Sequence, residues 1–410
     1  MLDENKRDEG MRHLRQGLAF ERANRTVEAV EQYRRAIEHD PRLREAHNAL
    51  GHYYQRSGLM AKAAEEFRAV AALDGDFMSF YNLGYVLVEL ERYDDALVAF
   101  TRCLSLQPDD ASAHFEVGYI LLLRGEYTRA LSHLQQTLQS YPADWEAHNL
   151  IGKCQLGLRH FDEALAAFGR SLSLTESTLA QAELLDNIAT VARHREFHSL
   201  SSLKDQVYAE EGVVYLGSAQ DNGLQVAELK DYHFSYPDIG ITLQRLTALA
   251  HSSGWRFSAV VPGDALSRPL AEALATLLTA PMRSIDELSA DDRALVVIAV
   301  AREAELLLLT IERTPCPLIA FCLGLNWLRH SKVLPDMIGI TAHGACSVPW
   351  EAELRGLRAA GAAPERLDAC VEQSAAQILA AVRDTPPDPN LPRQIRYYTR
   401  THRRLNVGTQ

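Results

Sequence analysis

The segment TAHGACSVPWE, residues 341–351, holds the most suggestive chemistry in the chain, because His343 and Cys346 stand three residues apart there. A cysteine nucleophile needs a base or a positive field to lower its pKa. Asp336 can orient the histidine only if the fold brings the two together. No oxyanion loop accompanies the pair, so no catalytic residue is assigned. Cys316, Cys322, His330, His343 and Cys346 raise the question of a metal. Their spacing fits no compact zinc pattern, and Cys322 lies inside an apolar run. Neither a metal nor a cofactor is expected. Arg268 follows Gly263, Asp264 and Ser267 and can receive an anion at a helix start; otherwise Ser267 caps that helix and Arg268 is solvated. Four further histidines, His13, His47, His114 and His148, recur in one register. Equivalent positions in successive units lie too far apart to share an ion, so these are read as packing residues.

The elements that carry the first group alternate. VVYL (213–216), FSAVV (257–261), ALVVIAV (294–300), PLIAFCLGL (317–325) and MIGIT (337–341) read as strands, with helices over 241–254, 267–278 and 302–314 between them. Two closing helices follow, near 349–360 and 364–383. Continuous apolar strands alternating with helices indicate a mainly parallel sheet covered on both faces. A ligand of such a sheet sits outside the carboxyl ends of the strands. The polar residues expected there are Asp221, Asn222, Asp264, Ser267, Arg268, Arg302, Asn326, His343 and Cys346.

The first half has another order. Gly17, Gly51, Gly84, Gly118 and Gly152 are spaced by 34, 33, 34 and 34 residues. Twelve residues after each stands an alanine (Ala29, Ala63, Ala96, Ala130, Ala164), and four further on a large side chain (Tyr33, Phe67, Phe100, Leu134, Phe168). A period near 34 is one supersecondary unit stacked repeatedly. Pro41, Pro108 and Pro142 end three of the units, since proline cannot continue a helix. Cys103 and Cys154 occupy small-residue positions and read as core.

This register resembles the tetratricopeptide repeat, over about 170 residues. The resemblance implies an all-α solenoid of five two-helix units, starting near residues 10, 44, 77, 111 and 145. Residues 1–9 are a short extension, 10–176 the repeats and 177–199 a capping helix that hides the apolar end. In that family the first helices form an inner, concave surface that binds a protein or peptide partner. The groove positions carried over are Asn48, His52 and Arg56; Tyr81, Tyr85 and Glu89; Phe115 and Tyr119; Asn149 and Lys153. The i,i+4 pairs Tyr81 with Tyr85 and Phe115 with Tyr119 place an aromatic patch at its middle. The alternative is that these aromatics pack on the chain's own second half. The basic clamp of the members that bind chaperone tails is not reproduced at the matching positions.

Residues 254–281 and 291–325 also resemble a phosphoribosyltransferase core in their strand, loop and helix rhythm. The family's paired acids and Thr-Gly-Gly phosphate turn are replaced here by Ile298-Ala299-Val300-Ala301-Arg302-Glu303. No glycine is left there to let backbone N–H groups cradle a phosphate. The resemblance therefore implies a degenerate, non-catalytic α/β domain over residues 200–383.

Residues 384–410 begin Pro-rich, which reads as a stiff linker, and end basic, with Tyr397 and Tyr398. That tail either binds nucleic acid through charge and stacking, docks on an acidic body or partner, or is solvated. The net charge of the chain is −12; residues 1–382 are acidic overall, whereas 383–410 hold six arginines and two aspartates. An acidic body does not favour nucleic acid as the main partner. No stretch approaches the roughly 20 apolar residues that span a bilayer, and the polar start is not a signal peptide. Six scattered cysteines fit a reducing, cytoplasmic setting. The expected function is a scaffold that binds a peptide or protein in the repeat groove, with a sensor or docking α/β domain. The alternative is a nucleotide- or phosphosugar-binding regulator or enzyme with its site at the strand ends.

Overall fold

The computed structural model describes residues 2–219, 221–226, 229–301, 310, 313–326 and 334–401. Arg302, His330 and most of the helix expected over 302–314 lie outside the described residues, as does the tail beyond residue 401. The chain divides into two compact units, Met1–Val191 and Ala192–Gln410.

The first unit is helical throughout. Its helices are α1 (Leu2–Arg22), α2 (Thr26–His39), α3 (Arg44–Arg56), α4 (Met60–Leu73), α5 (Phe77–Glu89), α6 (Tyr93–Leu106), α7 (Ala111–Leu123), α8 (Tyr127–Ser140), α9 (Trp145–Gly157), α10 (Phe161–Leu174) and α11 (Thr178–His194). The residues read as an N-terminal extension continue α1. Asp76, Asp110 and Asp144 recur at intervals of 34, and each side chain accepts a hydrogen bond from the backbone N–H three residues on, starting α5, α7 and α9. A capped start satisfies one of the orphan donors of a helix.

The repeating glycines explain how each helix pair closes. A Cβ placed on Gly17 would stand 2.5 Å from Tyr33, on Gly51 2.8 Å from Phe67, on Gly84 2.8 Å from Phe100, on Gly118 2.7 Å from Leu134 and on Gly152 2.5 Å from Phe168. The large side chain of the second helix therefore lies flat on the bare backbone of the first. The paired alanines are 0–1% exposed. Ala36, Val70, Cys103, Thr137 and Ser171 share one further position; the last three donate to the backbone carbonyls of Phe77, Ala111 and Trp145 at 3.5, 3.1 and 2.7 Å. Cys103 and Cys154 are buried, and burial pushes both thiols up to about 12.

The histidines join one unit to the next. His47, His114 and His148 direct Nε2 at the carbonyls of Pro41, Pro108 and Pro142, at 3.0, 2.8 and 3.1 Å. Between the second and third units Asp74-Gly75 replaces the proline, and Phe80 replaces the histidine and packs near Gly75. Histidine and proline thus occur together because one satisfies the carbonyl of the other.

The second unit holds β1 (Val214–Tyr215), β3 (Ala259–Pro262), β4 (Ala294–Ala301), β5 (Leu318–Asn326) and β6 (Met337–Ala342) in one all-parallel sheet of order β1-β6-β5-β4-β3. A separate parallel pair joins β2 (Tyr232–His233) to β7 (Cys346–Ser347). β4 is buried along its whole length, as a sheet covered on both faces requires. The helices α12 (Leu203–Glu211), α13 (Tyr236–Ser253), α14 (Arg268–Leu278), α15 (Glu351–Ala359), α16 (Pro364–Asp384) and α17 (Leu391–Arg396) complete the unit.

Of the readings of the segment from residue 384, docking on the chain's own body describes it up to residue 401, and the stretch read as a stiff linker packs there too. Asp388 accepts from Nε and Nη2 of the buried Arg245 at 2.9 and 2.6 Å. The Gln394 amide donates to the carbonyls of Leu216 and Gly223 at 2.9 and 3.2 Å. Tyr398 is 0% exposed; its hydroxyl accepts from the N–H of Tyr215 at 2.9 Å and donates to the carbonyl of the same residue at 3.2 Å. Lys204 lies 4.4 and 4.5 Å from the Tyr397 and Tyr398 ring centres and donates to the carbonyl of Gly223. Burial, with Arg245 nearby, pulls its pKa down to about 7. Packing decided against a solvated tail because two tyrosines within one short segment carry enough apolar area to hold it in place.

Two stability outcomes follow from these contacts. Gly152→Ala should lower stability by about 1–3 kcal/mol through overpacking against Phe168, although alanine favours a helix by about 1 kcal/mol. Gly169→Ala, where an added Cβ meets open space, should raise it by up to about 1 kcal/mol. Urea unfolding of the full chain followed by circular dichroism separates the signs; equal effects would refute the close-contact explanation. In the second unit, Tyr398→Ala should cost about 3–5 kcal/mol, read as a lower thermal midpoint, and an unchanged midpoint would show that the segment contributes no packing.

Candidate functional site

The first helices α3, α5, α7 and α9 carry the ten residues expected to line a partner groove, and their neighbours divide them into two kinds. At one end Arg56 pairs with Glu21 at 2.5 Å, and His52 stands edge-on to the Phe67 ring. The amide oxygen of Asn48 is buried without a hydrogen-bond partner among the described residues. At the other end Lys153 pairs with Glu183 of α11 at 2.9 Å, and Asn149 contacts Glu183 and Asn187 of that helix. The capping helix therefore engages the fifth unit's groove positions as a sixth repeat would.

The middle is different. Tyr81 stacks on Phe77 and meets Phe100 edge-on. Its hydroxyl lies in the fields of Glu116 and Asp110 and near Ser112, all from the start and middle of α7, and burial pushes its pKa up to about 12. Tyr119 feels Glu116 and Glu89, and its pKa is raised chiefly by burial. Tyr85 is 40% exposed, while Phe115 is half-buried and Glu89 exposed. The structure thus brings Tyr81, Phe115, Tyr119 and Glu89 to one face of units three and four.

Glu116 and Glu146 were not singled out in the sequence. Glu116 is half-buried on α7, and burial raises its pKa to about 7, with Glu146 and Glu89 adding to the rise. Burial and Asp144 likewise raise Glu146. Among the described residues no cation pairs with Glu89, Glu116 or Glu146, whereas Arg56 and Lys153 each have a carboxylate. The sequence signal was available: Glu116 directly follows a groove position, and Glu146 opens the next first helix.

The residues expected at the strand ends of the second unit are engaged in holding loops. Asp221 accepts from the N–H groups of Gly223 and Ser218 and from the Tyr215 hydroxyl at 2.6, 3.2 and 3.0 Å, and lies 3.4 Å from Arg245. Arg245 also donates to the carbonyls of Leu216, Ser218 and Asp221. Asn222 accepts from the N–H of Leu224 at 2.9 Å in a local turn. A cleft of roughly 700 Å³ beside this network is lined by Asp221, Asn222, Arg245 and Pro386. Ser267 makes no side-chain cap. It is 0% exposed, donates to Asp264 and accepts from the N–H of Ala299 at 2.9 Å, tying the start of α14 to β4. Arg268 pairs with Asp368 of α16 at 2.9 Å rather than awaiting an anion. Asn326 is half-buried, and its amide oxygen has no partner among the described residues.

His343 and Cys346 differ in exposure. Cys346 is 0% exposed in β7 and lies against Gly324, whereas His343 is exposed. Asp336 precedes β6 and His343 follows it, so roughly 20 Å of strand divides them. Asp336 instead accepts from the N–H of Ala320 at 2.7 Å, and burial raises its pKa. All six cysteines are buried and none is in a disulfide. Among the described residues no group of three or more potential ligands could hold a metal ion, and no helix is long and apolar enough to cross a membrane.

Comparison with known proteins agrees with the geometry of the first unit. Residues 14–76 and 81–133 match one tetratricopeptide-repeat model, and residues 121–182 match a second. The N-terminal half of this protein is a run of tetratricopeptide repeats. Among solved structures, MamA is 23% identical over 40% of this chain and 91% of its own, with a TM-score of 0.39. YrrB, described as a TPR protein with an unusual peptide-binding site, is 22% identical over 45% and 95%, at 0.41. A thermophilic TPR protein of Thermus thermophilus is 22% identical over 44% and 98%, at 0.33. No curated protein matches the chain. The resemblance of residues 254–325 to phosphoribosyltransferases receives no support from these matches.

Glu116 offers a direct electrostatic test. Its folded pKa lies above the unfolded carboxylate value of about 4.3, so the folded chain binds the extra proton and stability falls as pH rises between the two values. Below that window the residue is neutral in both states; above about 7 its full penalty is present. Glu116→Gln should therefore raise the thermal midpoint at pH 8 and leave it nearly unchanged at pH 4. A midpoint that falls at pH 8 would show that Glu116 is held by a cation after all.

Proposed function

We propose that this protein is a non-catalytic, cytoplasmic interaction scaffold whose repeats bind a peptide or extended protein segment along the face of their first helices. The α/β unit serves as a docking or sensor module. The observation that carries this reading is the contrast along one face. The outer groove positions are closed by Arg56 with Glu21 and by Lys153 with Glu183, while the middle presents Tyr81, Tyr85, Phe115 and Tyr119 beside carboxylates that have no cation among the described residues. Aromatic anchors with polar neighbours are the residues on which interface affinity concentrates. The strand-end residues of the α/β unit give less support to a nucleotide or phosphosugar site, because Asp221, Asn222, Asp264, Ser267 and Arg268 hold neighbouring loops and helices.

Selection from a phage-displayed library of random short peptides on the full chain tests the groove. Enriched peptides are expected to lose at least roughly ten-fold in affinity on the Tyr81→Ala/Tyr119→Ala variant, since two anchors of this type are each worth about 2 kcal/mol. Circular dichroism checks that the variant remains folded. Peptides that bind both proteins equally would remove this face as the binding surface.

A further inference from the structure

Resting on the groove reading, we infer that the middle of the first-helix face takes a basic segment, whose lysine or arginine side chains lie across Tyr81 and Tyr119 and between Glu89, Glu116 and Glu146. Three observations lead there. The first is charge complementarity within the face itself. The groove cations Arg56 and Lys153 are already matched to Glu21 and Glu183. Glu89, Glu116 and Glu146 have no cation among the described residues, and the helix-starting Asp110 and Asp144 add to the same negative field. The unmet charge of the face is therefore negative and central.

The second observation is the company those carboxylates keep. Glu116 acts on both Tyr81 and Tyr119, and Glu89 acts on Tyr119. A cation over a tyrosine ring is attracted by the negative face of the ring, more strongly as water is excluded. A neighbouring carboxylate adds a charge-assisted hydrogen bond. An acidic or purely apolar segment would leave the half-buried Glu116 uncompensated at the centre of the interface, which is unfavourable. The third is Asn48, one unit earlier, whose amide oxygen is buried without a partner among the described residues and would be satisfied by a donor that reached in from the bound chain. Arginine and lysine segments bring donors, and neither brings a side-chain acceptor that would compete.

The same peptide selection discriminates this proposal from the groove reading beneath it. Enriched sequences should carry a net positive charge, and replacing their lysines and arginines with glutamine should weaken binding by roughly ten-fold or more. Glu89→Gln/Glu116→Gln/Glu146→Gln should cost a similar factor while leaving the fold intact by circular dichroism. Binding of the parent peptides should also weaken with added salt. Neutral or acidic peptides that still depend on Tyr81 and Tyr119 would overturn the basic partner and leave the groove standing. Enrichment indifferent to both sets of substitutions would overturn both.

Discussion

Everything in the first unit depends on one steric constraint: a large side chain must lie on a backbone that has no Cβ. At Gly152 the space between α9 and the Phe168 ring is too small for a single methyl group. The same contact recurs at five places one repeat apart. It fixes the spacing of the two helices in each unit and the rotation of the first helix about its own axis. That rotation decides which residues face the next unit and which face outward. The outward face of the first helices is therefore a consequence of the glycines.

Joining the units is a separate task, and polar groups perform it. The aspartate caps start α5, α7 and α9, and the histidines take the carbonyls left by the terminating prolines. His47 shows how tightly these roles interlock. Its Nδ1 meets Glu66 at 2.6 Å while Nε2 meets Pro41, and the Glu66 hydrogen bond is the main reason its pKa is raised. His114 likewise directs Nδ1 at His133 and Nε2 at Pro108. Placed as linkers, these two have both ring nitrogens directed at their own chain, which leaves neither free for a shared metal.

The repeats were legible because their constraint is local and periodic: Gly17 and Tyr33 stand 16 residues apart in the chain and in contact in space. The strands were legible for a similar reason, since β4 and β5 are unbroken apolar runs. What the sequence hid was long-range. Arg245 and Asp388 are 143 residues apart, and nothing near either one announces the pair. Tyr398 meets Tyr215 across 183 residues, so a basic, proline-led segment looked like a tail. Among candidate site residues the same rule held. Tyr81 and Tyr119 were found from their register, whereas Glu116 and Glu146 matter only because α7 and α9 are adjacent, a relation that spacing along one helix does not display.

Two charged groups withdrawn from water, Arg245 in the α/β unit and Glu116 in the repeats, are handled in opposite ways. In the α/β unit Arg245 is 2% exposed and its guanidinium is surrounded by two carboxylates and three carbonyls. A network so fully satisfied stabilises one arrangement and has little left to offer a ligand. In the repeats Glu116 is half-buried beside two other carboxylates, an arrangement that lowers stability above neutral pH. A stacked array tolerates such a local penalty, because its stability is approximately a sum over units and their nearest interfaces. Glycine contacts elsewhere in the stack hold the fold while Glu89, Glu116 and Glu146 have no cation among the described residues. Unsatisfied charge on a rigid face is the condition in which a partner's cation gains most on arrival. The same glycine constraint that keeps the face rigid is thus what allows the face to remain electrostatically incomplete.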